Sequence, residues 1–174
     1  DGTIESIVEE LDANSEDLKT TLCNSGVMIF RAEVMFQELV KVRNQNAKGE
    51  YYLTDLVSLV RDNGEKVGLV VGLPYELQGI NNRMDLANAE SIMQNRLRVR
   101  AMVGGVTLID PGTTWLSMDT ILGKDVTVGP NVFLGKSVEV GDRVEIKAFS
   151  HLEGGKLSSD VVVGPFARLR PGTV

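Results

Sequence analysis

Between Leu122 and Leu152 the aliphatic residues Leu122, Val128, Leu134, Val140, Ile146 and Leu152 recur every six positions, and glycine follows the first four, at Gly123, Gly129, Gly135 and Gly141. A second apolar column, Val126, Val132, Val138 and Val144, runs four residues behind the first. A period of six is neither helical nor a plain alternation. It predicts a parallel β-solenoid from Leu122 to Val174, in which each short strand points one aliphatic residue inward and successive coils stack their hydrogen bonds. The glycines are expected to let the chain bend at its corners. Leu157, Val163 and Leu169 keep the spacing but are out of phase by one, which predicts a one-residue deletion at a corner after Leu152. An antiparallel sandwich, the competing reading, repeats at roughly 8 to 12 residues.

Ahead of the solenoid the pattern changes. Thr3 to Glu9, Gly26 to Phe30 and Lys66 to Val71 read as strands, the latter two apolar enough to be buried. Val34, Met35, Leu39 and Val40 recur at helical spacing after Ala32, and Thr54 is placed to cap a second helix through Leu56, Leu59 and Val60. This alternation is that of an α/β sheet with crossovers. A third helix is expected from Met84 or Asp85 to about Met102, with Leu86, Ile92, Met93 and Leu97 on one face and Gly104-Gly105 as its stop. Its Arg96, Arg98 and Arg100 read as a solvated face rather than a phosphate site. The resulting division is residues 1–83, a linker helix over 84–105, and solenoid coils over 106–174.

Composition narrows the function classes. A formal net charge of -6 and a pI near 4.9 argue against a general nucleic-acid binder. The single cysteine, Cys23, cannot form an internal disulfide and is expected to be a buried small hydrophobe in a reducing cytoplasm. No apolar run approaches the roughly 20 residues of a membrane span. The first residue is Asp1 and the last, Val174, falls inside a repeat, so the chain reads as an internal fragment.

Polar clusters stand at the ends of the expected elements: Val8-Glu-Glu-Leu-Asp12, Asn24-Ser-Gly26, Glu50-Tyr-Tyr-Leu-Thr-Asp55 and Ile80-Asn-Asn-Arg83. In an open α/β sheet ligands bind at such places. Each also has a structural explanation, as a solvated turn, a tight Asn-Gly turn or a helix cap.

In this order, with Gly79-Ile-Asn-Asn-Arg83 and with Gly164-Pro-Phe-Ala-Arg-Leu-Arg-Pro-Gly172 behind them, these strings resemble the bacterial family of bifunctional N-acetylglucosamine-1-phosphate uridyltransferases and glucosamine-1-phosphate N-acetyltransferases. The six-residue repeat is similar to that of the hexapeptide-repeat acyltransferases, which implies a left-handed β-helix. The resemblance implies the rear of a Rossmann-like nucleotidyltransferase domain, then a linker helix and the first β-helix coils. It places N-acetylglucosamine contacts on Glu9 and Asn24, with Tyr52 and Thr54 lining the sugar pocket. It makes Asn81 both a Mg²⁺ ligand and a UDP-sugar contact, and Arg170 the grip on a sugar phosphate. These residue types suit those roles: a carboxylate accepts from sugar hydroxyls, an amide donates and accepts, and a guanidinium binds phosphate in bidentate fashion. Gly26 is expected to admit a close approach of the sugar to the backbone.

The implied substrates are UTP, N-acetylglucosamine-1-phosphate, glucosamine-1-phosphate and acetyl-CoA, in a cytoplasmic homotrimer that makes a precursor of peptidoglycan and lipopolysaccharide. The family commonly has lysine where this chain has Leu11, and its glycine-rich nucleotide loop, aspartate metal ligand and acetyl-transfer base have no counterpart here. His151, within the early coils, is expected to be structural or solvent-facing and not a catalytic base. The fragment alone is therefore expected to lack both activities. Two other readings share parts of the pattern: a monofunctional sugar-nucleotide pyrophosphorylase with a structural solenoid tail, and a non-catalytic trimerisation module.

Overall fold

A computed structural model describes residues 2–172. The chain divides into two compact units, Asp1–Gly79 and Ile80–Val174.

In the first unit the helices form as the spacing predicts. Helix α1 spans Ala32–Leu39 and α2 spans Leu56–Asp62, the latter burying Leu56, Val57 and Val60. Thr54 is not its cap: it lies in a 3-10 turn, Leu53–Asp55, that runs directly into α2. Gly64, with φ of +80°, closes the turn behind the helix by donating its N–H to the Arg61 carbonyl. The expected strands do not assemble into a sheet among the described residues. Their pairing is reduced to one antiparallel bridge, Thr3 to Gly68, flanked by Ile4 N–H to the Val67 carbonyl and Leu69 N–H to the Gly2 carbonyl. The reason lies in their composition. Segments apolar on both faces need strands beside them and layers above and below, and without these Ile29 stands 97% exposed and Val70 92%. Cys23 is exposed too, contrary to expectation.

The second unit opens with α3, Arg83–Val103. Asn82 is its N-cap, accepting from the N–H groups of Met84 and Asp85, while the Asp85 carboxylate accepts from the Asn82 N–H. This reciprocal capping box satisfies donors that the first turn leaves without partners. The chain leaves the helix through Gly104 and through Gly105, whose φ of +99° only glycine adopts readily.

Among the described residues eleven two-residue strands follow, stacked as three parallel sheets. The first coil comprises β1 (Thr107–Leu108), β2 (Trp115–Leu116) and β3 (Ile121–Leu122). The second has β4 (Thr127–Val128), β5 (Phe133–Leu134) and β6 (Glu139–Val140). The third has β7 (Glu145–Ile146), β8 (His151–Leu152) and β9 (Lys156–Leu157), and β10 (Val162–Val163) and β11 (Arg168–Leu169) begin a fourth. Every pairing is parallel, which excludes the sandwich. Both aliphatic columns form the core. Val126 and Val128 are fully buried, as is Leu134, and Val132, Val138, Val144 and Ile146 are 1% exposed. Ser150 continues the valine column as a buried polar residue, its one hydroxyl proton lying between the carbonyls of Lys147 (2.8 Å) and Gly164 (3.1 Å).

The phase slip lies at a corner, as the spacing predicts: β8 ends at Leu152 and β9 begins at Lys156, so Leu152 and Leu157 are five residues apart. The corners themselves are built differently from the expectation. Positive φ falls not on the glycines after the aliphatic column but on Asp125, Asn131, Ser137, Arg143 and Phe149, then on Gly154, Asp160, Phe166 and Gly172. The column glycines serve a contact instead. A Cβ at Gly129 would lie 2.7 Å from the Ala148 nitrogen, and one at Gly141 2.7 Å from the Ser159 nitrogen. Glycine is there because the backbone of the next coil passes too close for any side chain.

Candidate functional site

In the first unit, the turn carrying Glu9 is held by its own backbone, with the Asp12 N–H donating to the Glu9 carbonyl, and Asp12 Oδ1 ties it to the following loop by accepting from the Ala47 N–H at 2.7 Å. Glu9 is half-buried. Its charge is felt at Tyr52, whose phenol is held above its ordinary range first by desolvation and then by Asp12, Glu50 and Glu9. Asp55 is raised as well, by desolvation and then by Asp12. The Tyr52 hydroxyl oxygen and Thr54 Oγ1 are both buried and make no hydrogen bond of normal geometry among the described residues, although the Asp12 carboxylate stands near enough to the Tyr52 hydroxyl to favour its protonated form. Buried hydroxyls normally find a partner. The Tyr52 phenol thus stands among the charges of Asp12, Glu50 and Glu9.

Asn24 is exposed and shapes its own turn, its Oδ1 accepting from the Gly26 N–H at 3.1 Å. Gly26 has φ of +78°, and a Cβ built there meets nothing within 4 Å. The turn itself thus requires glycine, and the space beside it is open.

Asn81 belongs to the second unit, immediately ahead of the α3 cap. Its N–H donates to the Asp85 carboxylate at 3.0 Å, and its side chain is exposed. The capping role that Asn-Asn suggests thus falls on Asn82, leaving the Asn81 amide outside the cap. Arg170 is exposed, one residue beyond β11. His151 stacks its ring on Phe133 with centroids 4.5 Å apart while its side chain stays 44% exposed, and Phe133 stacks in turn on Trp115 at 6.2 Å.

No group of three or more His, Cys, Asp or Glu side chains among the described residues could hold a metal ion. The chemistry of a hard divalent cation fits Asn81 as a contributor of one neutral oxygen, and the phosphates of a nucleotide sugar are the usual source of others.

Sequence reasoning passed over Gln94 and gave Arg98 a solvated role. Gln94 is 3% exposed and bonds both backbone groups of Leu116, and Arg98 donates to the Thr114 carbonyl. The signal available was a glutamine one position from the apolar stripe Met93, Leu97 and Ala101.

Comparison with known proteins follows this division of features. Residues 119–154 match the bacterial transferase hexapeptide (six repeats) family. Over 170 residues the chain is 57% identical to the bifunctional protein GlmU of Ruegeria sp. (strain TM1040), covering 98% of this chain and 38% of that protein. The bifunctional protein GlmU of Azorhizobium caulinodans is 50% identical over 168 residues, and that of Zymomonas mobilis 46% over 169, each over 97% of this chain and 38% of the relative. The chain thus spans somewhat more than a third of the length of the curated relatives it matches.

Proposed function

The chain is a homologue of a segment of the bifunctional GlmU proteins, and from that kinship we propose that it joins the rear of a uridyltransferase site to the opening coils of an acetyltransferase. Identity across 97% of the chain, spanning both units, is the observation that carries this reading. In the longer protein the first unit's unpaired strand segments would complete a sheet with strands from the remaining length.

The first reaction is attack by the phosphate of N-acetylglucosamine-1-phosphate on the α-phosphate of UTP, releasing pyrophosphate. Glu9 and Asn24 hold the sugar, and the buried hydroxyls of Tyr52 and Thr54 supply further contacts. Asn81 would offer an amide oxygen to Mg²⁺, and the ion when bound would offset the charge of the phosphates. The second reaction moves the acetyl group of acetyl-CoA to the amine of glucosamine-1-phosphate, and Arg170 grips the sugar phosphate through two N–H groups. The solenoid coils up to Leu152 are scaffold for that site. The assembly is a cytoplasmic homotrimer supplying UDP-N-acetylglucosamine for peptidoglycan and lipopolysaccharide. No helix of the described residues is long and apolar enough to cross a membrane.

Calorimetric titration of the full-length protein with UDP-N-acetylglucosamine, with and without Mg²⁺, tests the first half. Asn81→Ala is expected to abolish the metal-dependent part of the affinity while leaving the fold intact. Metal dependence equal to wild type in that variant refutes the assignment. On this reading residues 1–174 alone catalyse neither reaction, and clear uridyltransferase turnover by this stretch would count against it.

A further inference from the structure

The capping box of α3 contains one hydrogen bond more than a helix end requires. Its reciprocal half needs only the Asn82 N–H to reach the Asp85 carboxylate. Here the same oxygen, Asp85 Oδ2, accepts from the Asn82 N–H at 3.2 Å and from the Asn81 N–H at 3.0 Å. Asn81 stands outside the helix and is exposed, so water would satisfy its N–H equally well, and α3 gains no intrahelical bond from the contact. The extra bond instead fixes the peptide group that enters Asn81. The peptide group that leaves it carries the Asn82 N–H and is fixed by the same oxygen, while the Asn82 side chain accepts from the N–H groups of Met84 and Asp85. Both peptide planes beside the Asn81 Cα are thus anchored to one carboxylate, and the exposed amide springs from a backbone with little freedom left.

We propose that Asp85 is a positioning residue for Asn81, setting the place at which that amide meets a divalent cation and the phosphates of a nucleotide sugar. The role rests on the one proposed above for Asn81, and it gives Asp85 no contact of its own with ion or substrate. Metal ligands are commonly oriented by partners outside the coordination sphere, and losing such a partner costs roughly 10- to 100-fold in affinity. A group already ordered when its ligand arrives also loses less entropy on binding.

Calorimetric titration of the full-length protein with UDP-N-acetylglucosamine, with and without Mg²⁺, tests this together with hydrogen exchange at the Asn81 amide of the ligand-free protein. In Asp85→Ala the metal-dependent part of the affinity should fall by about 10-fold or more. The affinity without Mg²⁺ should stay as in wild type, and the Asn81 amide should exchange faster. Asp85→Asn is the rescue, because its amide oxygen accepts both N–H groups, and it should restore binding and slow exchange together. Ala87→Gly is the structural control: it weakens α3 at an exposed position away from Asn81 and should leave the metal-dependent affinity unchanged. If Asn81→Ala loses the metal dependence and Asp85→Ala keeps it, the positioning role falls while the Asn81 assignment stands. If Asn81→Ala keeps it, both fall. Equal losses in Ala87→Gly and Asp85→Ala, or equal losses with and without Mg²⁺, would mark helix stability alone and overturn the proposal. Slow exchange with lost affinity in Asp85→Asn would overturn it in favour of the carboxylate charge.

Discussion

Arg143 and Asp160 occupy the same corner of successive coils, both with positive φ, and are joined by two hydrogen bonds, Nε to Oδ1 at 2.7 Å and Nη2 to Oδ2 at 2.8 Å. The guanidinium holds the Asp160 carboxyl below its ordinary range, through hydrogen bonding first and charge second. A depressed carboxylate contributes stability that is fully present above its unfolded value, about 4, and is lost as pH falls through the lower folded value. Both side chains are more than half exposed, so the contribution is small and screened by salt. NMR titration of the Asp160 carboxyl carbon should show a midpoint below that of a free aspartate, moving up toward it in Arg143→Ala.

The column glycines give a paired test. Gly129→Ala must push a methyl against the backbone of Ala148 and should lower stability by about 1–3 kcal/mol. Gly164 has nothing within 4 Å of a built Cβ and no positive φ, so Gly164→Ala should be neutral or stabilising by up to about 1 kcal/mol. Thermal melts of the two variants should therefore move in different directions. Equal destabilisation would contradict the contact explanation.

Ser150 interrupts the valine column but bonds two carbonyls. Ser150→Ala should cost about 1 kcal/mol, because the carbonyls of Lys147 and Gly164 lose the one hydroxyl proton they share. Denaturant midpoints measure this, and an unchanged midpoint would mean that the hydroxyl contributes nothing net.

Tyr52 offers a split between stability and binding. Tyr52→Phe removes a hydroxyl that makes no hydrogen bond of normal geometry and should leave the melting temperature of the first unit unchanged or slightly raised. In the full-length protein the same change should weaken N-acetylglucosamine-1-phosphate binding if that hydroxyl contacts the sugar. Loss of both stability and binding would instead assign it a structural partner.

The solenoid was readable because one side chain in six is repeated faithfully enough to survive single exceptions such as Ser150. What escaped reading were relations between coils. That Gly129 faces Ala148 is a contact across 19 positions, which no local pattern announces. Asp125 and Asn131 are residues that tolerate positive φ, but Arg143, Phe149 and Phe166 in the same place are not. Gln94 escaped because a polar residue on an amphipathic helix is ordinarily solvated. Of the candidate site, Glu9, Asn24, Asn81 and Arg170 were assigned through the resemblance. The structure gives each a position, Glu9 beside Tyr52 and Asn81 ahead of the α3 cap. The expected strands of the first unit failed for want of partners, since local β-propensity cannot create a sheet by itself.

The third coil is shorter by one residue, yet β9 still stacks on β6 and β11 on β8. Gly154 absorbs the loss, taking up the left-handed turn five positions after Phe149 instead of six. The solenoid therefore keeps count in corners rather than in residues. A deletion that falls where the chain turns is forgotten within one face, whereas one placed inside a strand would invert the inward and outward sides of everything that follows. Length variation in such a coil is thus confined by geometry to a few permitted places.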